Sequence, residues 1–133
     1  MKRDMDLIRK ILLEVEEIPY DAGFCDLQIE GHSPIEVSYH ITLLNQAGHV
    51  DGKDMSTMGN TNWKVRSLTW QGHEFLEASR DESRWNKAKT IMRDKGGGMV
   101  FDVFKQLLGE LMKAAIFGSG SHAYRRGLAR SRS

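Results

Sequence analysis

The sequence predicts a mixed α+β fold that has a small antiparallel sheet and a helical C-terminal half. Three observations support this prediction. A helix-start signal at Ser33-Pro34-Ile35-Glu36 is followed by apolar residues at helical spacing. Two runs with the pattern of β-strands then flank a polar loop, and the second run ends at Leu68. After residue 100, apolar residues recur every three or four positions, as on one side of a helix. A chain of 133 residues can build one hydrophobic core but not two, so we expect a single domain over residues 1–117.

The first element is predicted to be an amphipathic helix from Arg3 to Glu16, capped by Asp4 and ended by Pro19 and Gly23. One side of this helix is apolar, with Met5, Ile8, Ile11, Leu12 and Val15. The following segment, Phe24–Gly31, alternates apolar and polar residues with a period of two. We therefore expect it to add a third strand to the sheet.

The central segment predicts a helix followed directly by a β-hairpin. The Ser33 hydroxyl can accept from the third helical amide, and Glu36 can reach back to complete a capping box. The helix, 34–47, ends at Ala47-Gly48, and a polar loop from Gly52 to Asn62 then separates two extended runs. This succession is the layout of a winged-helix domain, in which the hairpin is the wing.

The C-terminal half is predicted to be helical. Thr69 can cap a helix from Trp70 to Ser79, with Trp70 closing the core over the hairpin, and Asp81 can cap the next one. Gly96-Gly97-Gly98 interrupts that run before a last helix, Val100–Phe117. Its apolar stripe either packs on the preceding helices or forms a homodimer seam. The seam would consist of Phe104, Leu107, Leu108, Leu111 and Met112.

Composition places the chain among cytoplasmic globular proteins. No apolar run approaches the roughly 18 residues that a membrane span needs, and the single cysteine, Cys25, fits a reducing compartment. Residues 1–117 hold 15 basic and 18 acidic groups, a net charge of −3. The last sixteen residues, 118–133, hold four arginines and no acid, which predicts a flexible basic tail that is either native or a vector remnant.

The residues that could contact DNA lie on the 34–47 helix and the hairpin. Hydroxyl and amide groups on an outward helix face can meet base edges or phosphates, and hairpin cations can meet phosphates or the minor groove. From Ser33 to Thr69 the chain has three basic and three acidic residues, so the predicted face is neutral. The candidates are Ser38, Tyr39, Thr42 and Asn45 on the helix, and Lys53, Asn60, Lys64 and Arg66 on the hairpin.

Patterns typical of catalysis are missing from the sequence. Cys25, His32, His40 and His49 lie in one region, but none has a tight metal-ligand spacing, and His40 fits a packed, hydrogen-bonded residue better. The Gly96–Gly98 run lacks the lysine of a phosphate-binding loop. We therefore predict no catalytic residues, no metal and no cofactor, and we interpret Trp63, Trp70 and Trp85 as packing residues.

Three blocks of the sequence resemble an uncharacterised bacterial family. They are MKRDMDLIRKILLEVE, SPIEVSYHITLLNQAGHV and LTWQGHEFLEASRDESRWNKAK, within residues 1–112. The family is a domain of unknown function that is frequent in phages and prophages, so the resemblance implies that origin but no activity.

A looser resemblance links residues 37–50 to the recognition helix and first wing strand of small bacterial winged-helix repressors. It implies DNA binding. Those repressors have a complete positioning helix before the recognition helix, whereas Glu17–His32 here contains Pro19, Gly23 and Gly31 and no helical pattern.

Two functions follow as hypotheses, and neither requires catalysis. The first is a DNA-binding regulatory or accessory protein of a phage or prophage. The second is a protein–protein interaction module that inhibits or recruits a host protein, an alternative favoured by the net charge of −3 over residues 1–117 and the neutral hairpin.

Overall fold

A computed structural model of the chain describes residues 1–94 and 100–119. The chain forms two compact units, the first from Met1 to Glu77 and the second beginning at Ala78. Among the described residues, no helix is both long enough and apolar enough to cross a bilayer. The elements are α1 (Met5–Glu16), α2 (Pro34–Gln46), β1 (Val50–Asp54), β2 (Trp63–Leu68), α3 (Trp70–Ser79), α4 (Glu82–Asp94), α5 (Phe101–Lys113) and a short π-helix (Ala114–Ser119).

The first unit packs α1 and α2 against the β1–β2 hairpin. Asp4 caps α1 by accepting from the amides of Asp6 and Leu7, as the sequence predicts. Burial of the apolar side of α1 removes most of that surface from water and drives the packing. The core of the unit contains Leu7, Ile11, Leu12, Val15, Val37, Ile41, Leu44, Val65, Phe75 and Leu76.

The predicted start of α2 is half confirmed. The Ser33 hydroxyl accepts from the Glu36 amide at 3.2 Å. The Glu36 carboxylate does not complete a capping box, however, because its Oε1 lies 2.6 Å from Nδ1 of His32. The Glu36 carboxylate is therefore engaged by the imidazole one turn away and not by the Ser33 amide.

The prediction of a third strand is wrong beyond one residue. β1 and β2 form a two-stranded antiparallel sheet, and Cys25 alone bridges to Val65, with N–O distances of 2.8 and 3.0 Å. Continuing that ladder would require residue 27 to pair with Trp63. The Trp63 amide instead donates to the hydroxyl of Ser38 at 3.1 Å, so the position is already occupied.

The stretch between α1 and α2 contains no helix, which agrees with the missing positioning helix noted in the sequence. After β2, the Thr69 hydroxyl accepts from the Gly72 amide at 3.1 Å and begins α3 as predicted. Trp70 does not close the core, because 79% of its surface is exposed. Position 70 lies on the solvent side of α3, whereas Phe75 and Leu76 supply its buried side.

The second unit is a helical pair. Asp81 accepts from the Arg84 amide at 2.7 Å and begins α4, as predicted, while the Gly96–Gly98 break lies outside the described residues. Trp85 of α4 and Phe104 of α5 meet edge to face, with ring centroids 4.9 Å apart. Phe104 and Leu108 are fully buried within the chain, so at these two positions the stripe packs inside its own unit, the first of the two predicted alternatives.

Candidate nucleic-acid interface

Two of the four predicted contact residues on α2, Ser38 and Asn45, hold the first unit together. Ser38 is buried and accepts from the Trp63 amide, and the Asn45 Oδ1 accepts from the Gly52 amide at 3.0 Å. Thr42 Oγ1 donates within the helix to the Ser38 carbonyl at 2.9 Å. The predicted outward face is therefore wrong for Ser38, and α2 uses Ser38 and Asn45 to fix the hairpin.

The fourth residue, Tyr39, is half-buried, and its ring meets His40 edge to face at 5.5 Å. The solvent side of α2 passes through Ile35, Tyr39, Thr42 and Gln46 at helical spacing. None of these side chains carries a charge. This stripe therefore presents no cation that could neutralise a DNA phosphate.

The predicted hairpin cations do come together, on the solvent face of β1 and β2. Val65 and its neighbour Cys25 define the inner face, because Val65 is fully buried and pairs with Cys25. Alternation along the strand then places Lys64 and Arg66 on the outer face. We define the hairpin surface as Phe24, Asp26, Asp51, Lys53, Lys64 and Arg66.

Phe24 is the centre of the hairpin surface. The Arg66 guanidinium lies 4.8 Å from the centroid of the Phe24 ring, and the Lys53 ammonium lies 5.7 Å from it. Both distances are within the range of cation–π attraction. Lys53 also lies directly across the ladder from Lys64. Phe24 was not among the contact residues predicted from the sequence, although the period-two alternation that predicted a strand there places Phe24 and Asp26 on one face.

Two aspartates partly neutralise this cluster. Asp51 accepts from Arg66 through both Nε and Nη2, and Asp26 lies 3.5 Å from the Lys64 ammonium. Both pairs lie at the surface, where an ion pair contributes only about 0–1 kcal/mol to stability. The two cations can therefore leave these aspartates at little cost in stability.

The loop between the strands ends in an apolar tip. Thr57 and Asn60 exchange backbone hydrogen bonds of 3.0 and 2.9 Å around Met58-Gly59, and Gly59 adopts a φ of +78° that a side chain would strain. Met58 is fully exposed. Asn60, a predicted contact residue, thus lies in the turn beside the tip.

Hydrogen bonds at the loop's base perturb one carboxyl group. The hydroxyl of Ser56, and then its backbone amide, hold the pKa of Asp54 below its ordinary value of 3.8. Ser56 also accepts from the Asn62 amide at 2.8 Å. The loop is therefore closed by the Asp54–Ser56–Asn62 chain.

A groove of about 710 Å³ lies behind the loop, between residues 26–32, the start of α2 and residues 60–63. His32 lies on its wall. Of the other histidines singled out in the sequence, His40 is buried and hydrogen-bonded as predicted, and His49 is buried against Phe75. His32 instead approaches two carboxylates, those of Asp4 and Glu36.

Comparison with known proteins agrees with the resemblance seen in the sequence. Residues 2–98 match the family described as "Hypothetical protein (DUF2513)". A protein of Haemophilus influenzae (strain ATCC 51907 / DSM 11121 / KW20 / Rd), described as "Uncharacterized protein", is 38% identical over 110 residues, which cover 80% of this chain and 92% of that protein. No solved structure is significantly similar to the chain. The family match and this relative together show that the chain belongs to the DUF2513 family.

Proposed function

We propose that the protein binds nucleic acid without catalysis, through the hairpin surface and not through α2. One observation carries this proposal. Every lysine and arginine between residues 11 and 79 lies on the hairpin surface, namely Lys53, Lys64 and Arg66. Elsewhere in that stretch the chain is acidic or neutral, so the cations are concentrated around one aromatic ring.

The chemistry of the surface suits a nucleic-acid backbone. Lysine and arginine neutralise phosphates and release the condensed counterions that drive non-specific affinity. Phe24 offers a flat ring against which a base or sugar can pack. The apolar tip at Met58 could follow the hairpin into a groove, as apolar side chains do in minor-groove proteins. We propose a cytoplasmic role as a regulatory or accessory factor of a phage or prophage, consistent with the single cysteine and the family resemblance.

Salt dependence of binding tests the proposal. Three phosphate contacts predict a slope of log Kobs against log salt of about −3 for duplex DNA. Replacing Lys53 or Arg66 by Gln in the full chain should reduce the slope by about 1 each. The matched control is Lys10→Gln, on the exposed side of α1, which should leave the slope unchanged.

The basic tail needs its own control. A full-length variant with Arg125, Arg126, Arg130 and Arg132 replaced by Gln should retain a slope set by the hairpin surface. Fluorescence anisotropy measures the salt slope of each variant, once with a duplex and once with a single strand of equal length. Loss of all salt-dependent binding in the tail variant, or equal slopes for Lys53→Gln and the unmodified chain, would refute the hairpin surface as the binding site.

A second candidate function is protein binding, favoured by the charge of the first unit. Residues 1–77 contain 7 basic and 13 acidic groups, a net charge of −6 that repels DNA at long range. The uncharged stripe on α2, with Ile35 exposed, suits a protein partner better than a phosphate backbone. Ile35→Asp should then abolish capture of a host or phage protein, while Lys53→Gln should not.

We also propose that the chain forms a homodimer through α5. With Phe104 and Leu108 buried, a seam on α5 would have to use the half-buried Leu107, Leu111 and Met112 together with the exposed Val103. An apolar edge of this kind suits a second copy of the same helix.

A further inference from the structure

A second cluster in the first unit brings three metal-ligating side chains together. Asp4, His32 and Glu36 each offer one ligand atom, and the three atoms lie within 4.8 Å of one another. The residues come from separate places: the cap of α1, the turn before α2, and the first turn of α2. The chain thus closes a loop of 28 residues, from Asp4 to His32, to assemble the cluster.

The contacts of the cluster leave ligand positions available. Asp4 uses Oδ1 to cap α1, at 3.0 and 3.2 Å from the amides of Asp6 and Leu7, so Oδ2 can serve another partner. Glu36 Oε1 and His32 Nδ1 are 2.6 Å apart. Both side chains are partly shielded, with 31% and 16% of their surfaces exposed. Two carboxylates held this close repel one another unless a positive group lies between them.

We propose that Asp4, His32 and Glu36 bind one divalent transition-metal ion. One imidazole nitrogen and two carboxylate oxygens form a donor set of intermediate hardness, suited to Zn²⁺ and Mn²⁺ and lacking the thiolates of Cys-rich zinc sites. The ion would replace the contact between Glu36 and His32, and the imidazole would bind it through an unprotonated nitrogen. Waters or an external ligand complete the coordination.

The neighbouring histidine supports the arrangement without joining it. His40 Nε2 accepts from the Asp4 amide at 2.8 Å, and its Nδ1 donates to the Glu36 carbonyl at 2.8 Å. One buried ring therefore fixes the backbones of both carboxylate residues. Such outer contacts orient metal ligands in known sites. His32 also lines the 710 Å³ groove, which gives the open coordination positions a route to solvent.

Binding would connect three points of the fold, so the ion should stabilise the first unit by mass action. Metal-free protein, prepared with EDTA and dialysed, is titrated with Zn²⁺ by calorimetry and melted with and without the ion. We expect one Zn²⁺ per cluster and a higher Tm with Zn²⁺ than with Mg²⁺. Glu36→Gln and His32→Asn should each weaken Zn²⁺ binding at least tenfold, because each removes one ligand.

Two controls separate this site from adventitious binding. His73→Asn removes an exposed histidine on α3, and Cys25→Ser removes the thiol, and both should retain the affinity of the unmodified chain. Mn²⁺ provides a readout without substitution, since it should selectively broaden the amide NMR signals of residues 4, 32 and 36. The proposal is overturned if Zn²⁺ leaves Tm unchanged, if Glu36→Gln and His32→Asn bind as tightly as the unmodified chain, or if the broadening falls elsewhere.

Discussion

His40 joins the middle of α2 to the cap of α1 through Asp4. Its Nε2 accepts from the Asp4 amide, and its Nδ1 faces the Glu36 carbonyl, both at 2.8 Å. Because a carbonyl can only accept and an amide can only donate, the ring is the neutral tautomer protonated at Nδ1. The ring is fully buried, so both of its polar atoms are satisfied inside the protein.

The first prediction concerns His40→Ala. Truncation leaves a cavity and removes the acceptor for the Asp4 amide, so we expect a loss of about 3 kcal/mol in the free energy of unfolding. Urea denaturation followed by circular dichroism measures it. His73→Ala, at an exposed position of α3, should change stability by no more than about 0.5 kcal/mol. Equal losses in the two variants would contradict the linking role of His40.

The second prediction concerns the joint between α2 and the hairpin. Ser38→Ala leaves the part-buried Trp63 amide without its acceptor, at a cost of about 1–2 kcal/mol. Thr42→Val is the matched control, because Thr42 donates to a carbonyl of its own helix and its removal should cost under about 0.5 kcal/mol. Hydrogen exchange at Trp63 should accelerate in Ser38→Ala and not in Thr42→Val.

Local signals in the sequence predicted the helix starts well. Asp4, Ser33, Thr69 and Asp81 all cap as expected, because each cap depends on a hydroxyl or carboxylate and an amide two or three residues away. The succession of helix and hairpin could be predicted for the same reason. Such contacts need no knowledge of distant residues.

Long-range competition explains what the sequence did not predict. The helical position of Ser38 predicted an outward side chain, but its hydroxyl accepts from the amide of Trp63, which lies 25 residues away. Because that amide is occupied, the pairing at Cys25 does not extend into a third strand. The packing of Arg66 on the Phe24 ring and the Asp4–His32–Glu36 cluster also depend on residues from separate parts of the chain. The basic hairpin surface was predictable in its cations but not in the aromatic ring at its centre.

The third prediction compares two glycines in helices. A Cβ at Gly72 would overlap the carbonyl oxygen of His49, which also accepts from the Thr69 amide at 3.0 Å. Backbone cannot move aside as a side chain can, so Gly72→Ala should cost about 1–3 kcal/mol or more. Gly109→Ala in α5 meets nothing within 4 Å and should stabilise its helix by about 0.5–1 kcal/mol. Thermal unfolding should give opposite signs for the two changes.

The fourth prediction separates core from surface on α5. Leu108 is fully buried, so Leu108→Asp should unfold the helical pair. Val103 is 52% exposed, so Val103→Asp should preserve helicity. If a second copy covers this side of α5, Val103→Asp converts the dimer to a monomer. Light scattering with circular dichroism tests both variants, and unfolding by Val103→Asp would show that this residue belongs to the core.

The fifth prediction concerns acid and the hairpin loop. The pKa of Asp54 is lowered by the Ser56 hydroxyl and amide, so the charged carboxylate is the form that the folded loop favours. The resulting stabilisation is complete above the unfolded value of 3.8 and is lost as the pH falls through the lower folded pKa. Ser56→Ala removes the larger contribution and keeps the amide, so it should raise the Asp54 pKa towards 3.8 without reaching it.

Carboxyl NMR titration of the unmodified chain and of Ser56→Ala measures that pKa directly. Because Ser56 also accepts from the Asn62 amide, Ser56→Ala should in addition weaken the closure of the loop, seen as faster hydrogen exchange at Asn62. An Asp54 titration that is unchanged in Ser56→Ala would show that the hydroxyl does not hold the carboxylate.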